Sequence, residues 1–188
     1  MAKPKVIIFD SPSHKVRRSC IAIASAYAQA ELGKRSFLTD FFSIVDENVN
    51  RMFGLPMSTE AYKDVMNDPT EDFFGYSPDK AYDDMRQYLA SKYGYAFFGR
   101  VIARKLHRDN ITNLYLVNGL CYTESLMAVA HEVKPENVCI VYVDAEETQD
   151  RFVVKTPDNI RRFDLPKLPD YSMHKMCVEG CVKGFLEL

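Results

Sequence analysis

The feature that most constrains this 188-residue chain is a short apolar run that stops abruptly before a long alanine-rich segment. The run is Lys5 to Asp10, and its sequence VIIFD predicts a strand buried on both faces. The segment from Arg18 to Leu32 is apolar at helical spacing and is followed by Gly33, a residue typical of helix C-termini. The chain is therefore predicted to begin with a strand, a loop and a long helix.

The same alternation continues through most of the sequence. Further strands are predicted at 36–39, 114–117, 138–143 and about 163–165, and helices at 40–53, 59–66, 77–93, 97–108, 123–133 and 172–185. Strands that alternate with helices predict an α/β fold with a mostly parallel central sheet and helices on both faces. The first strand should lie in the interior of that sheet, and ligands should bind at the carboxyl ends of the strands.

Composition and charge narrow the classes of function. A length of 188 residues with 47% hydrophobic residues predicts one self-folding domain, in which residues 56–108 form a lid or a substrate-binding insert. The net charge of −2 favours a free nucleotide over DNA as the ligand. Binding of DNA and formation of a homodimer remain possible on the sequence alone. The sequence lacks an apolar run of membrane-spanning length and a signal-peptide core, so we expect a cytoplasmic protein, in the host cytoplasm if it is viral.

The five cysteines are scattered through apolar stretches, which predicts reduced, buried thiols and no disulfide framework. His174, Cys177 and Cys181 would share one face of a helix and could be read as metal ligands. No second pair of ligands accompanies them in the sequence. We therefore expect a packed helix face and no structural metal.

The residues between the first strand and the first helix carry the functional prediction. A strand that passes through a short loop into a long helix presents backbone N–H groups and the helix dipole to an anion. The segment from Ser11 to Ser19 adds three cations, Lys15, Arg17 and Arg18. Cations at a helix N-terminus oppose the dipole unless an anion lies nearby, so phosphate binding is favoured over solvated surface charges.

With this order of elements, the chain resembles the deoxynucleoside monophosphate kinases of bacteriophages, a branch of the P-loop kinases, from Val6 to about Arg151. The family's loop reads Gly, four residues, then Gly-Lys-Asp-Thr, and its places fall on Ser11, Val16, Arg17, Arg18 and Ser19. The resemblance implies a three-layer P-loop kinase-like fold. It also implies that the loop glycines have been replaced here and that the lysine has become an arginine.

Other segments are similar to the same family. Phe37–Asp40 is similar to a Phe-Ala-Asp stretch that opens the second helix, and the segment from Arg86 to Gly94 is similar to an Arg-Leu-Leu-Gln to Gly segment. The segment 118–124 stands where the family has Asp-Val-Arg-Phe and then Asn-Glu. Asn118 therefore replaces an aspartate, and Glu124 is retained.

The resemblance implies roles for individual residues, with ATP and magnesium as cofactors. Lys15 and Arg17 would stabilise the transferred phosphate, Asp40 would orient the acceptor, and Ser19 would lie near magnesium. The cofactor-binding candidates are Ser11, Ser13, His14, Arg18, Ser19 and Arg151, and the substrate-binding candidates are Asp10, Arg86, Arg100, Arg104, Asn118 and Glu124. In the plainer interpretation, the arginines on helices are surface charges and the aspartates at strand ends cap turns.

The altered loop leaves two functions open. A valine in a left-handed conformation costs about 1–2 kcal/mol, so Val16 in place of a glycine predicts a remodelled loop. One hypothesis is a kinase-like phosphoryl transferase acting on a deoxynucleoside monophosphate or a modified base in DNA, such as hydroxymethyluracil. The other is a catalytically inactive kinase-fold protein that binds nucleotide or a protein partner. The acidic segment Asp68–Tyr76 is expected to be mobile and to close over a substrate.

Overall fold

The computed structural model describes residues 4–56, 59–108, 114–145, 154–167 and 170–187. The strands are β1 Lys5–Asp10, β2 Ser36–Asp40, β3 Leu114–Asn118, β4 Val138–Val143 and β5 Arg161–Leu165. The helices are α1 His14–Ala30, α2 Ser43–Met52, α3 Pro78–Tyr93, α4 Phe97–Arg108, α5 Thr123–Val133 and α6 Tyr171–Leu186. Short 3-10 turns lie at Thr59–Tyr62, Glu71–Phe73 and Pro135–Asn137.

The chain divides into two compact units. The first comprises Met1–Phe41 and Phe98–Leu188 and contains the whole sheet. The second comprises Phe42–Phe97, with α2 and α3. The lid or substrate insert expected at 56–108 stays a prediction, because this division does not test motion or ligand binding.

The sheet has the strand order β2-β3-β1-β4-β5, and every neighbouring pair is parallel. β1 lies at its centre, where Val6, Ile7, Ile8 and Phe9 are at most 1% exposed. A strand buried on both faces needs apolar side chains at every position, which is what VIIFD supplies. The predicted α/β class and the interior position of the first strand are both confirmed.

Helices cover both faces of the sheet. Ile7 and Phe9 pack in one cluster with the buried residues of α1 and α6. The alternate residues Val6 and Ile8 point to the opposite face and are equally buried, and the remaining helices of this unit, α4 and α5, cover that face. The layers are therefore helices, sheet and helices.

The strand order creates a crevice at the carboxyl ends of β1 and β3. The connection after β1 leads to β2 on one side of the sheet, whereas the connection after β3 crosses to β4 on the other side. Ligands of open parallel sheets bind beyond the carboxyl ends of the strands, at the point where the strand order reverses in this way. The end of β1, the start of α1 and the end of β3 therefore define the place to search for a site.

Three predicted helices differ from those in the structure. α1 begins at His14, well before Arg18, because the side chain of Ser13 caps it. α2 begins only at Ser43, since the preceding residues through Asp40 belong to β2. The helix expected at 59–66 is no more than a 3-10 turn at Thr59–Tyr62.

In the second unit, the acidic segment that includes Asp68–Tyr76 is anchored by one buried ring. Phe73 is 0% exposed and lies 5.2 Å from the ring centroids of both Phe53 and Tyr62 and 5.8 Å from that of Tyr82. The backbone N–H of Gly75 also donates to the carbonyl of Thr70 at 2.9 Å. Phe73 therefore gives this segment apolar support, and its expected mobility and its role as a lid stay predictions.

Candidate functional site

The loop between β1 and α1 is only Ser11–Ser13. Ser11 and Ser13 are buried, and the backbone N–H of Ser13 donates to the Ser11 hydroxyl at 3.3 Å. The N–H of Val16 donates to the Ser13 hydroxyl at 3.5 Å. The loop is therefore a tight, internally bonded turn, and Val16 lies inside α1 without a positive φ, so it avoids the strain of a left-handed valine.

Arg17 lies across the crevice between the carboxyl ends of β1 and β3. Its Nη1 donates to the carbonyl of Ser11 at 2.6 Å, and its Nε donates to Oδ1 of Asn118 at 3.2 Å. A Cβ at Gly119 would make an ordinary contact with Arg17 Nε at 3.6 Å, so it is the φ of +75° that favours glycine at this position. One guanidinium thus links the loop after β1 to the end of β3, and the sequence had named Asn118 as a substrate-binding candidate without indicating this contact.

Asp40 and Asn118 are brought together beside Arg17. In the sheet register, Asp40 pairs with Asn118, and Asn118 pairs with Phe9, which faces α1. Side chains at paired positions share a face of the sheet, so the carboxylate and the amide lie on the face of α1. Asp10 is half-buried and follows Phe9, so it points to the opposite face.

The start of α1 gathers the cationic candidates. His14, Lys15 and Arg18 are exposed in its first turns, and those turns carry no acidic residue. Ser19 is half-buried and follows the Ser13 cap by six residues, about 9 Å along the helix axis. The cations therefore lie at the positive end of the helix dipole, and the Ser19 hydroxyl lies more than one turn away from it.

The remaining candidates of the first unit lie on other helices. Glu124 is exposed in the first turn of α5, which follows β3, and so lies toward the carboxyl edge of the sheet. Arg100 and Arg104 are exposed on α4, with Arg104 one turn farther from the start of the helix. Arg151 lies outside the described residues. The roles of these four residues stay predictions.

In the second unit, Arg86 is held by a set of internal contacts. Its Nε and Nη2 donate to the two carboxylate oxygens of Asp46 at 3.0 and 2.5 Å, and its Nη1 donates to Asp83 at 2.9 Å. Its guanidinium also lies 4.6 Å from the ring centroid of Phe42. Burial lowers the pKa of Arg86, but bonding and charge attraction from Asp46 and Asp83 outweigh burial and raise it. These contacts give Arg86 a structural role, and binding of substrate by it stays a prediction.

The buried thiols of the first unit are poor nucleophiles, because burial raises their pKa. Burial is the main cause that raises the pKa of Cys121 to about 12. Hydrogen bonds from Ser125 and the backbone lower this pKa in part, and the charge of Asp40 raises it. Burial likewise raises the pKa of Cys20 to about 11. Within the described ranges, no group of three His, Cys, Asp or Glu side chains is placed to hold a metal ion. At the carboxyl ends of the strands, the groups available to a ligand are therefore Arg17, Asn118, Asp40 and the cations of α1.

No family model matches the chain, and no curated protein matches it. A similar solved structure is the solution NMR structure of a de novo designed protein with a P-loop NTPase fold. The TM-score is 0.42 with 12% sequence identity, and the match covers 100% of this chain and 96% of that chain. At these values the likeness carries no information about activity.

The described part of the chain contains the six helices α1 to α6. None of its helices combines the length and the apolar character that crossing a bilayer requires.

Proposed function

We propose that this protein binds a nucleotide through its phosphate at the start of α1 and does not transfer that phosphate. The observation that carries the proposal is the position of Arg17, which stands where the resembling family has its phosphate-loop lysine. Its donors reach the Ser11 carbonyl and the Asn118 amide, with N···O distances of 2.6 and 3.2 Å. These two hydrogen bonds give Arg17 a structural role. The phosphate would therefore be bound by its neighbours Lys15 and Arg18.

Three features support binding of an anion here. α1 follows the central strand of a parallel sheet, so its positive dipole end lies at the carboxyl edge. Lys15 and Arg18 are exposed in the first turns, where the helix dipole attracts an anion and their charges would add to that attraction. Charge-assisted bonds from such groups contribute roughly 1.5–3 kcal/mol each in good geometry. Together they favour a phosphate group as the ligand.

Two features argue against phosphoryl transfer. The short turn uses the N–H groups of Ser13 and Val16 for its own hydroxyls, so these two donors are already engaged in the fold. Ser19, the expected neighbour of magnesium, lies about 9 Å along the helix from the cap. The described residues therefore do not fit magnesium in the arrangement implied by the resemblance, and our proposal contains no magnesium-dependent step.

Calorimetric titration with ATP and with deoxynucleoside monophosphates tests the proposal. The double variant Lys15→Ala/Arg18→Ala should bind at least about tenfold more weakly, a loss of about 1.4 kcal/mol. Lys175→Ala/Lys183→Ala is the matched control, since it removes two exposed cations from α6 of the same unit, and neither residue is a candidate for binding. If the wild type binds neither nucleotide nor inorganic phosphate at millimolar concentration, the proposal is wrong.

Phosphoryl transfer to a deoxynucleoside monophosphate or a modified base is the second candidate function. The observation that favours it is the pairing of Asp40 with Asn118 on the face of α1, where a carboxylate could orient an acceptor hydroxyl. Labelled product formed from ATP and such an acceptor, and lost in Asp40→Asn, would establish transfer in place of simple binding.

A further inference from the structure

β2 is a terminal strand of the sheet in the part of the chain that the structure describes, and it is apolar on both sides. Phe37 is 42% exposed and Leu38 is 55% exposed. Neighbouring residues of a strand point to opposite faces, so each face of the sheet carries one exposed apolar side chain of β2. α1 reaches only the start of the strand, where the hydroxyls of Ser25 and Ser36 are 2.8 Å apart. Two large apolar side chains thus flank a strand that pairs only with β3 within the sheet.

This edge lacks the usual protection against pairing with another strand. Terminal strands are normally blocked by lysine, proline, bulges or a covering element. The sequence of β2 is SFLTD, without proline, glycine or lysine, and its residues pair one to one with β3. Its outer row of backbone N–H and C=O groups is consequently suited to a further strand.

The charges around β2 indicate which strand would fit. Lys34 and Arg35 precede the strand, and Asp40 ends it. In an antiparallel arrangement with an identical strand, the cationic start of each copy lies against the anionic end of the other. A parallel arrangement would place like charges side by side, which is unfavourable. The strand is therefore complementary to a second copy of itself in one direction only.

We propose that β2 pairs with β2 of a second copy, antiparallel and about a two-fold axis through Leu38. In this register Leu38 lies opposite the partner's Leu38, Phe37 opposite the partner's Thr39, and Ser36 opposite the partner's Asp40. Lys34 then lies diagonal to the partner's Asp40, a spacing that long side chains can bridge. The two five-stranded sheets join into one continuous sheet, and the contact is isologous, so it closes as a dimer.

The contact is small, so the dimer should be reversible. β2 contributes five residues from each copy, which is well below the surface that a permanent dimer buries. Dimerisation should therefore depend on protein concentration. The proposal is independent of nucleotide binding, because it uses the outer edge of the sheet.

Sedimentation velocity over a concentration series to about 0.2 mM tests the pairing. The wild type should shift from monomer to dimer, and Leu38→Lys should stay monomeric, because two ammonium groups would face each other on the axis. Met176→Lys is the matched control, since Met176 is a 71% exposed apolar residue on α6. A wild type that is monomeric throughout, or a Leu38→Lys protein that dimerises like the control, overturns the proposal.

A charge exchange tests the direction of pairing. Lys34→Glu and Asp40→Lys should each weaken the dimer at least about tenfold by placing like charges near each other. The double variant restores opposite charges and should recover most of the wild-type dissociation constant. Circular dichroism verifies that each variant is folded. A folded double variant that dimerises no better than the single variants contradicts antiparallel pairing.

Discussion

At the scale of single residues, two glycines in helices predict opposite effects. A Cβ added at Gly99 of α4 would lie 2.0 Å from the carbonyl oxygen of Ser125 in α5. Backbone atoms cannot yield cheaply, so Gly99→Ala should lower the free energy of unfolding by about 3 kcal/mol. Gly180 of α6 has nothing within 4 Å of that position, so Gly180→Ala should raise it by about 0.5–1 kcal/mol. Urea denaturation measures both, and equal effects would refute the close contact of α4 and α5.

The buried thiols make a prediction about pH. Burial, as the main cause, raises the pKa of Cys139 to about 12 and that of Cys181 to about 11, from the ordinary thiol value of 9.0. Since the folded-state pKa is the higher one, the stabilisation is complete below pH 9 and is lost as the pH rises toward 11 or 12. The free energy of unfolding should therefore fall above pH 9. A flat profile from pH 8 to pH 11 in urea denaturation would contradict these buried positions.

Accessibility of the thiols provides a separate prediction. Cys177 is half-buried, whereas Cys20, Cys121, Cys139 and Cys181 are buried. Alkylation of the native protein at pH 8 should modify Cys177 first, because the buried thiols are both shielded and protonated. Mass spectrometry identifies the modified residue, and the Cys177→Ser variant should lose the fast phase. Rapid modification of a buried thiol in the native protein would contradict its packing.

At the scale of elements, two adjacent phenylalanines test whether Asp68–Tyr76 is packed. Phe73 is 0% exposed among three other rings, and Phe74 is 79% exposed with a left-handed φ of 52°. Phe73→Ala should destabilise the second unit by about 3–5 kcal/mol, and Phe74→Ala by less than about 1 kcal/mol. Hydrogen exchange of the α3 amides provides the measurement. Small effects from both variants would instead support the prediction from sequence that Asp68–Tyr76 is mobile.

Several helices were predicted well from the sequence, whereas the contacts between distant segments were not. α4 and α5 match their predicted ranges because their apolar periodicity is uninterrupted, and Ser77 caps α3 as expected. The support of Phe73 could not be read from periodicity, since its ring partners come from separate segments of the chain. The same holds for Arg17, whose partner Asn118 is 101 residues away. Local patterns predict elements, whereas such contacts depend on how the elements pack.

The predicted start of α1 was wrong at the candidate site. The resemblance to a phosphate loop led to a loop through Ser19, but Ser13 is an N-cap residue type and its side chain begins the helix at His14. The local signal for the cap was present in the sequence and was outweighed by the motif. The predicted cations were therefore in the right place along the chain, but in a helix.

At the scale of the whole molecule, the central strand and α1 form the edge that is proposed to bind a nucleotide without phosphoryl transfer. The most direct measurement is a single-turnover incubation of excess protein with γ-labelled ATP and magnesium, with and without deoxynucleoside monophosphates. We expect the wild type and the control Lys175→Ala/Lys183→Ala to retain label on a filter and Lys15→Ala/Arg18→Ala to lose it. The retained label should remain as intact ATP. Release or transfer of the γ-phosphate above background, abolished by Arg17→Ala in a folded variant, would contradict the account.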